Sequence, residues 1–270
     1  MNAHFIDPVI FNLGPLQIRW YGLMYVIGFA LGTLLLRKLV DQGFLHIVKK
    51  EVDNFITYTI FGVFLGARIF YVFIYNWDYY KNNLGDILAV WKGGLSYHGA
   101  ITGMIVALYL FAKKNKISFL QVLDSAVLAG SIGVFFGRLG NFINGELYGR
   151  ITDVPWGMVF KDGGPYPRHP SQLYEAFGEG VLVFIVLWMI KPKLKHHGLL
   201  FSIYFILYGV ARFTVEYFRE ADVQLGYYFG NSMTMGQILC IGMILFGIGS
   251  FILCRKKSDP IIYRPTEQAG

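Results

Sequence analysis

Charged residues are scarce in this chain. Asp, Glu, Lys and Arg make up 15% of its 270 residues, against 55% apolar residues, a balance that excludes an ordinary soluble domain. Alternation of apolar and polar residues is missing too. The apolar residues run in blocks, which favours helices over an outer-membrane barrel. Cysteine is limited to Cys240 and Cys254. On one helix these lie roughly 21 Å apart, too far for a disulfide. No Cys-x-x-Cys or His-x-x-x-His spacing occurs, so neither a zinc site nor a cysteine nucleophile is expected. No metal cage or nucleotide loop is present, and no cofactor is expected. The N-terminus has acidic Asp7, no basic stretch and no small-residue cleavage site, so the first span is expected to stay as an anchor.

What the chain has is hydrophobic length. Seven stretches read as candidate spans: Trp20–Leu36, Phe55–Tyr75, Leu95–Ala112, Phe119–Gly137, Leu173–Ile190, Gly198–Glu216 and Met233–Cys254. The predicted fold class is an all-α integral membrane protein with about seven transmembrane helices, an outward-facing polar pocket and short extracytoplasmic cap elements. Residues 1–270 read as a single integral membrane domain. It divides into a helical bundle at about 16–254, an outer loop or cap at 138–172 and a disordered cytoplasmic tail at about 256–270. Four prolines, Pro155, Pro165, Pro167 and Pro170, argue against a long helix in the cap. Small-residue pairs at i, i+4 (Gly28/Gly32, Gly62/Gly66, Gly99/Gly103 and Gly133/Gly137) suit close packing of membrane helices within the chain.

The net charge of +7 is not a nucleic-acid footprint. Lys and Arg cluster in alternate loops: Arg37/Lys38/Lys49/Lys50, Lys113/Lys114/Lys116, Lys191/Lys193/Lys195 and Arg255/Lys256/Lys257. This is the positive-inside pattern. It predicts a membrane protein with the N-terminus outside and the C-terminus in the cytoplasm.

Four polar elements fall at the outer half of these spans. Arg138, Asn141, Asn144 and Glu146 follow the fourth span in a Gly-rich stretch that ends at Gly149. Irregular backbone at such depth is tolerated where it lines an enclosed cavity. Tyr208, Arg212 and Glu216 are spaced i, i+4, i+8 on one helix face. Ser96-Tyr97-His98-Gly99 opens the third span, and Arg19-Trp20-Tyr21-Gly22 the first. Ionisable groups at membrane depth are costly and rarely idle, and arginine presents a fixed fork of donors to phosphate. A phospholipid headgroup is therefore the expected ligand. Histidine is a side chain suited to taking a proton, which makes His98 a candidate base. Arg212 and Glu216 also suit a local ion pair. Arg68 is expected to snorkel or to pair inside, Asp124 to sit as a charge at its own helix start, and His196/His197 to be solvated loop residues.

With these residues assembled, the chain resembles the bacterial prolipoprotein diacylglyceryl transferases from about Arg19 to Cys254. The likeness is carried by Gly137-Arg138-Leu139-Gly140-Asn141-Phe142-Ile143-Asn144-Gly145-Glu146. Supporting stretches are Arg19-Trp20-Tyr21-Gly22-Leu23, Gly66-Ala67-Arg68, Leu95-Ser96-Tyr97-His98-Gly99, His169-Pro170-Ser171-Gln172-Leu173-Tyr174-Glu175 and Tyr208-Gly209-Val210-Ala211-Arg212. Ala100 stands where many members carry a second glycine after the histidine. The resemblance implies transfer of a diacylglyceryl group from phosphatidylglycerol to the lipobox cysteine thiol in the signal peptide of a preprolipoprotein. The substrate's apolar signal peptide would approach through the membrane lipids. The resemblance implies catalytic roles for His98, Arg138, Tyr208 and Arg212, and substrate-binding roles for Tyr21, Asn141, Asn144, Glu146, Gly149 and Glu216, with no metal. The competing classes are an intramembrane hydrolase or protease built on Ser96 and His98, and a phospholipid transporter that uses the arginines only for binding. No Gly-x-Ser-x-Gly elbow supports the hydrolase.

Overall fold

The computed structural model describes residues 2–3, 6–14, 16–220, 227–228 and 232–263. Among the described residues the main helices are seven: α1 Trp20–Asp41, α2 Glu51–Phe70, α3 Tyr97–Lys114, α4 Phe119–Asn144, α5 Ser171–Lys193, α6 Leu199–Val215 and α7 Met235–Lys257. Helix α2 continues through a π turn, Tyr71–Tyr75, and α5 contains another, Ala176–Leu182. Five of these helices are long and apolar enough to cross a bilayer: α1, α2 with its π turn, α4, α5 and α7. The expected third and sixth spans appear as α3, of 18 residues, and α6, an apolar helix of 17 residues. With no closed sheet among the described residues, the protein is an all-α, multi-pass membrane protein.

The chain divides into two compact units: Met1–Leu35 with Asp124–Ile261, and Leu36–Leu123 with Ile262–Gly270. In the second unit, α2 packs on α3 through glycines. A Cβ at Gly66 would overlap the carbonyl oxygen of Gly99, and one at Gly62 would come 2.7 Å from that of Gly103. The i, i+4 glycine pairs of these two helices thus serve packing within the chain. Above this contact, Arg68 is buried and turned onto the backbone. It donates to the carbonyls of Ile87 (2.8 Å), Gly93 (2.7 Å), Gly94 (3.0 Å), Asp86 (2.7 Å) and Ala89 (3.3 Å). Arg68 therefore does not snorkel; it pairs inside, on backbone carbonyls. Its fork of donors gathers the irregular segment that leads to α3. Within that segment, hydrogen bonds from Lys92 and Tyr79 hold the half-buried Asp86 carboxyl below its ordinary value.

In the first unit, α1 meets α4 where Gly28 and Gly32 face Gly133, Phe136 and Ala129. Helices α6 and α7 pack through Gly209 and Gly247, and Ser202 donates to Ser250 at 2.9 Å. Asp124 does not serve its own helix start. Its fully buried carboxylate accepts the N–H groups of Gly198 (2.7 Å) and Phe201 (2.8 Å) at the start of α6. There it meets the positive end of that helix dipole. His197 is also buried, 3.7 Å from Asp124, and is not a solvated loop residue. The first residues of the expected tail are held in place. Helix α7 runs to Lys257, the His197 N–H bonds to Asp259 O at 3.0 Å, and the Ile261 N–H bonds to Lys195 O at 2.8 Å. Residues 264–270 of the expected tail lie outside the described residues.

Helix α4 also extends further than the apolar pattern indicates. It reaches Asn144, so Arg138, Asn141 and Asn144 stand on its last two turns, not in an irregular loop. Gly140 suits this because the Tyr21 ring lies against it, where a Cβ would come 2.8 Å from the ring. The chain leaves the helix at Gly145, with φ +69°, followed by Leu147 at +58°. The residues beyond form an ordered cap, tied by backbone bonds from Gly149 to His169 (2.8 Å), Arg150 to Phe218 (2.9 Å) and Thr152 to Pro167 (2.9 Å).

Candidate active site

The first unit gathers its charged groups on α4, α5 and α6. Arg138 Nη1 lies 2.7 Å from Glu175 Oε2, and Arg138 Nη2 lies 3.3 Å from Glu179 Oε2. Arg212 Nη1 reaches the same Glu175 oxygen at 2.9 Å and Glu179 Oε1 at 3.4 Å, while its Nη2 pairs with Glu216 at 3.1 Å. Arg219 adds contacts to Glu175 (3.5 Å) and Glu216 (3.7 Å). Thr234 donates to the other Glu216 oxygen at 3.2 Å. Three guanidiniums thus face three carboxylates. Glu175 and Glu179 are fully buried and Glu216 nearly so, so the charges require this mutual pairing.

Helix α5 builds the carboxylate side. Glu175 ends its first segment and Glu179 sits inside its π turn, a distortion common at functional sites. One turn before Glu175, Gln172 donates to the carbonyl of Glu146 at 2.7 Å. This ties the α5 start to a second polar group. In that group Glu146 Oε1 accepts from Asn141 at 2.8 Å and from Asn144 at 3.4 Å. Asn141 lies one turn beyond Arg138 on α4, so the two groups are contiguous. Tyr21 joins them from α1, with its ring on Gly140 and its hydroxyl 3.0 Å from that of Tyr25. Tyr208 stands one turn before Arg212 on α6, stacked on Tyr204 and within electrostatic range of Arg138, Arg212 and Glu179.

Gly149 is set apart by its surroundings. A Cβ there would overlap the carbonyl oxygen of Phe218 and come 2.9 Å from the His169 Cβ. His98 belongs to the second unit. It is exposed near the start of α3, its Nδ1 is 3.0 Å from the Tyr75 hydroxyl, and its carbonyl accepts from Thr102 at 2.9 Å. Ser96 is buried and caps α3, accepting the Gly99 N–H at 3.1 Å. That geometry uses the hydroxyl as a helix cap.

Glu179 and Arg219 are not among the residues the sequence pattern singles out, and Glu175 enters it only inside a motif. A signal for the glutamates was present: two carboxylates at i, i+4 within an apolar span. Arg219 lies just past α6 in a mixed-charge segment, where nothing in the pattern separates it from an ordinary loop arginine.

These features define a multi-pass helical membrane protein with an arginine–carboxylate centre between its helices. Residues 8–253 match the family described as prolipoprotein diacylglyceryl transferase. A protein of Nitratidesulfovibrio vulgaris (strain DP4) is 49% identical over 243 residues, covering 90% of this chain and 92% of that one. One of Rickettsia rickettsii (strain Sheila Smith) is 47% identical over 255 residues, covering 93% and 97%. One of Oleidesulfovibrio alaskensis is 49% identical over 242 residues, covering 90% and 91%. Each bears the name phosphatidylglycerol–prolipoprotein diacylglyceryl transferase. The chain belongs to the prolipoprotein diacylglyceryl transferase family.

Proposed function

We propose that this protein moves the diacylglyceryl group of phosphatidylglycerol to the lipobox cysteine of preprolipoproteins, the first step of lipoprotein maturation. The substrate sulfur attacks the glycerol carbon and forms a thioether. The C–O bond to phosphate breaks, and glycerol phosphate departs with the bonding pair. The observation that carries this reading is the pairing of Arg138 and Arg212 at one buried carboxylate, which groups two forks of donors for a phosphate. Charge grows on the departing phosphate, and arginines in a partly desolvated site stabilise it. The incoming thiol must lose its proton to become a good nucleophile. His98 and Tyr208 are the candidate acceptors. Tyr21, Asn141, Asn144 and Glu146 line the headgroup side, and Glu216 orients Arg212. Gly149 serves through the cap's close backbone packing. No cofactor takes part.

In this reading the protein is a single membrane-integrated domain in the bacterial inner membrane. The site opens outward, with the N-terminus outside and the C-terminus in the cytoplasm. Cysteine labelling of the Lys113–Lys116 turn from outside intact cells would overturn that orientation. The cap role of Ser96 counts against a serine hydrolase. Reconstitution with phosphatidylglycerol and a lipobox peptide tests the reaction. Transfer adds a thioether-linked diacylglyceryl group to the peptide and releases glycerol phosphate. Release of fatty acid or cleaved peptide would indicate a hydrolase, and an unchanged peptide and lipid a transporter.

A further inference from the structure

Glu175 occupies the centre of the charged group. One of its oxygens, Oε2, lies within 3 Å of Nη1 of both Arg138 and Arg212. Its side chain is fully buried, whereas those of Arg138 and Arg212 keep 21% and 16% of their exposure. The carboxylate therefore holds the arginines from their buried side, and their accessible surface lies away from it. Each guanidinium carries five N–H groups, and the carboxylates occupy only some of them.

We propose that Glu175 is a positioning residue of the transfer reaction: its carboxylate sets the spacing and orientation of Arg138 and Arg212 toward a phosphate at their open side. The proposal rests on the reading of these arginines as the phosphate site. It differs in sign from a role in charge balance alone. Replacing Glu175 by Gln removes a negative charge beside three cations, Arg138, Arg212 and Arg219, which strengthens their attraction for an anion. A carboxylate that only balances charge would leave turnover intact and tighten lipid binding in Glu175→Gln. It would also be replaced without loss by Asp, which keeps the charge. A positioning carboxylate behaves otherwise. Asp withdraws it by one methylene, and displacement on the order of an ångström costs roughly 10²-fold in rate.

The test uses the full chain in detergent with phosphatidylglycerol and a lipobox peptide. Turnover and the lipid KM are measured for wild type, Glu175→Asp, Glu175→Gln, Arg138→Lys and Arg212→Lys, each checked for monodispersity. Both Glu175 variants should lose turnover by roughly 10²-fold while the lipid KM stays the same or falls. Wild-type turnover in Glu175→Asp, or a loss confined to KM, overturns the proposal. Aggregation of both Glu175 variants also overturns it and makes Glu175 a folding residue. Should the lysine variants keep wild-type turnover, the phosphate reading itself fails. Loss in the Glu175 variants alongside active lysine variants would then assign Glu175 another role and reject this one.

Discussion

The hydroxyl oxygen of Tyr75 lies 3.0 Å from Nδ1 of His98. Which group donates decides what the other nitrogen can do. If Nδ1–H donates to the tyrosine oxygen, Nε2 is left with a free lone pair, the form a base needs. If tyrosine donates, Nε2 carries the proton. Under the proposal that His98 accepts the thiol proton, Tyr75 selects the first form. His98→Gln should then lower turnover ~10²–10⁴-fold, with recovery as rising pH ionises the thiol. Tyr75→Phe should cost one hydrogen bond, about 0.5–1.5 kcal/mol, or roughly two- to tenfold in rate. In the double variant the tyrosine effect should vanish. Independent, multiplying losses would separate Tyr75 from His98. A wild-type rate and pH profile in His98→Gln would leave Tyr208 as the candidate base.

Gly149 makes a different kind of prediction. Its Cβ position is filled by the backbone of Phe218 and by His169, so Gly149→Ala must push apart the strand-like bridge to Arg219. Overpacking of this sort costs typically 1–3 kcal/mol. The variant should therefore show a lower Tm in detergent together with reduced activity. Wild-type thermal stability with activity lost would instead return Gly149 to direct contact with substrate.

His169 supplies a pH dependence. Burial beside Tyr174 and Phe218 holds its imidazole below the ordinary histidine value. The unfolded chain therefore binds the proton more readily than the folded one. Stability is fully present above about pH 6.5 and is lost as pH falls from there toward the lowered folded value. Tm measured between pH 7.5 and 5 should fall less steeply in His169→Gln than in wild type. Parallel slopes would show that His169 does not couple to folding.

Apolar length made the helical class legible, because block hydropathy and basic loops read directly as membrane spans. It ended α4 too early, since Arg138 and Asn141 look like a break in an apolar run. In the folded protein their polar groups are met by Glu175, Glu179 and Glu146, so the helix continues. The arginines and Asn141 were legible as ionisable and amide groups at membrane depth. Their partners were not, because the pairing of α4 with α5 and α6 is a tertiary fact that no local period encodes. The same applies to Arg68, whose backbone carbonyl partners carry no sequence signature. Asp124 likewise serves α6, more than 70 residues further along the chain.

The arginine pair gives the sharpest test of the site. Arg138 and Arg212 come from different helices, yet both reach one oxygen of Glu175. Lysine keeps the charge and can still pair with that carboxylate, so Arg138→Lys and Arg212→Lys should fold. A lysine offers a point charge without the planar fork, so it cannot hold the carboxylate and grip a phosphate edge at once. If the fork acts on charge that develops as the C–O bond breaks, the loss belongs to turnover, by about 10²–10³-fold for one such donor, with lipid KM little changed. Combining the two substitutions should cost less than the product of the single losses, because both arginines serve one phosphate. Single-turnover transfer and phosphatidylglycerol binding, measured in one detergent for both variants and their combination, decide the matter. Raised KM with normal turnover would make the pair a headgroup anchor. Normal values for both would leave Arg138 and Arg212 as partners of buried glutamates and nothing more.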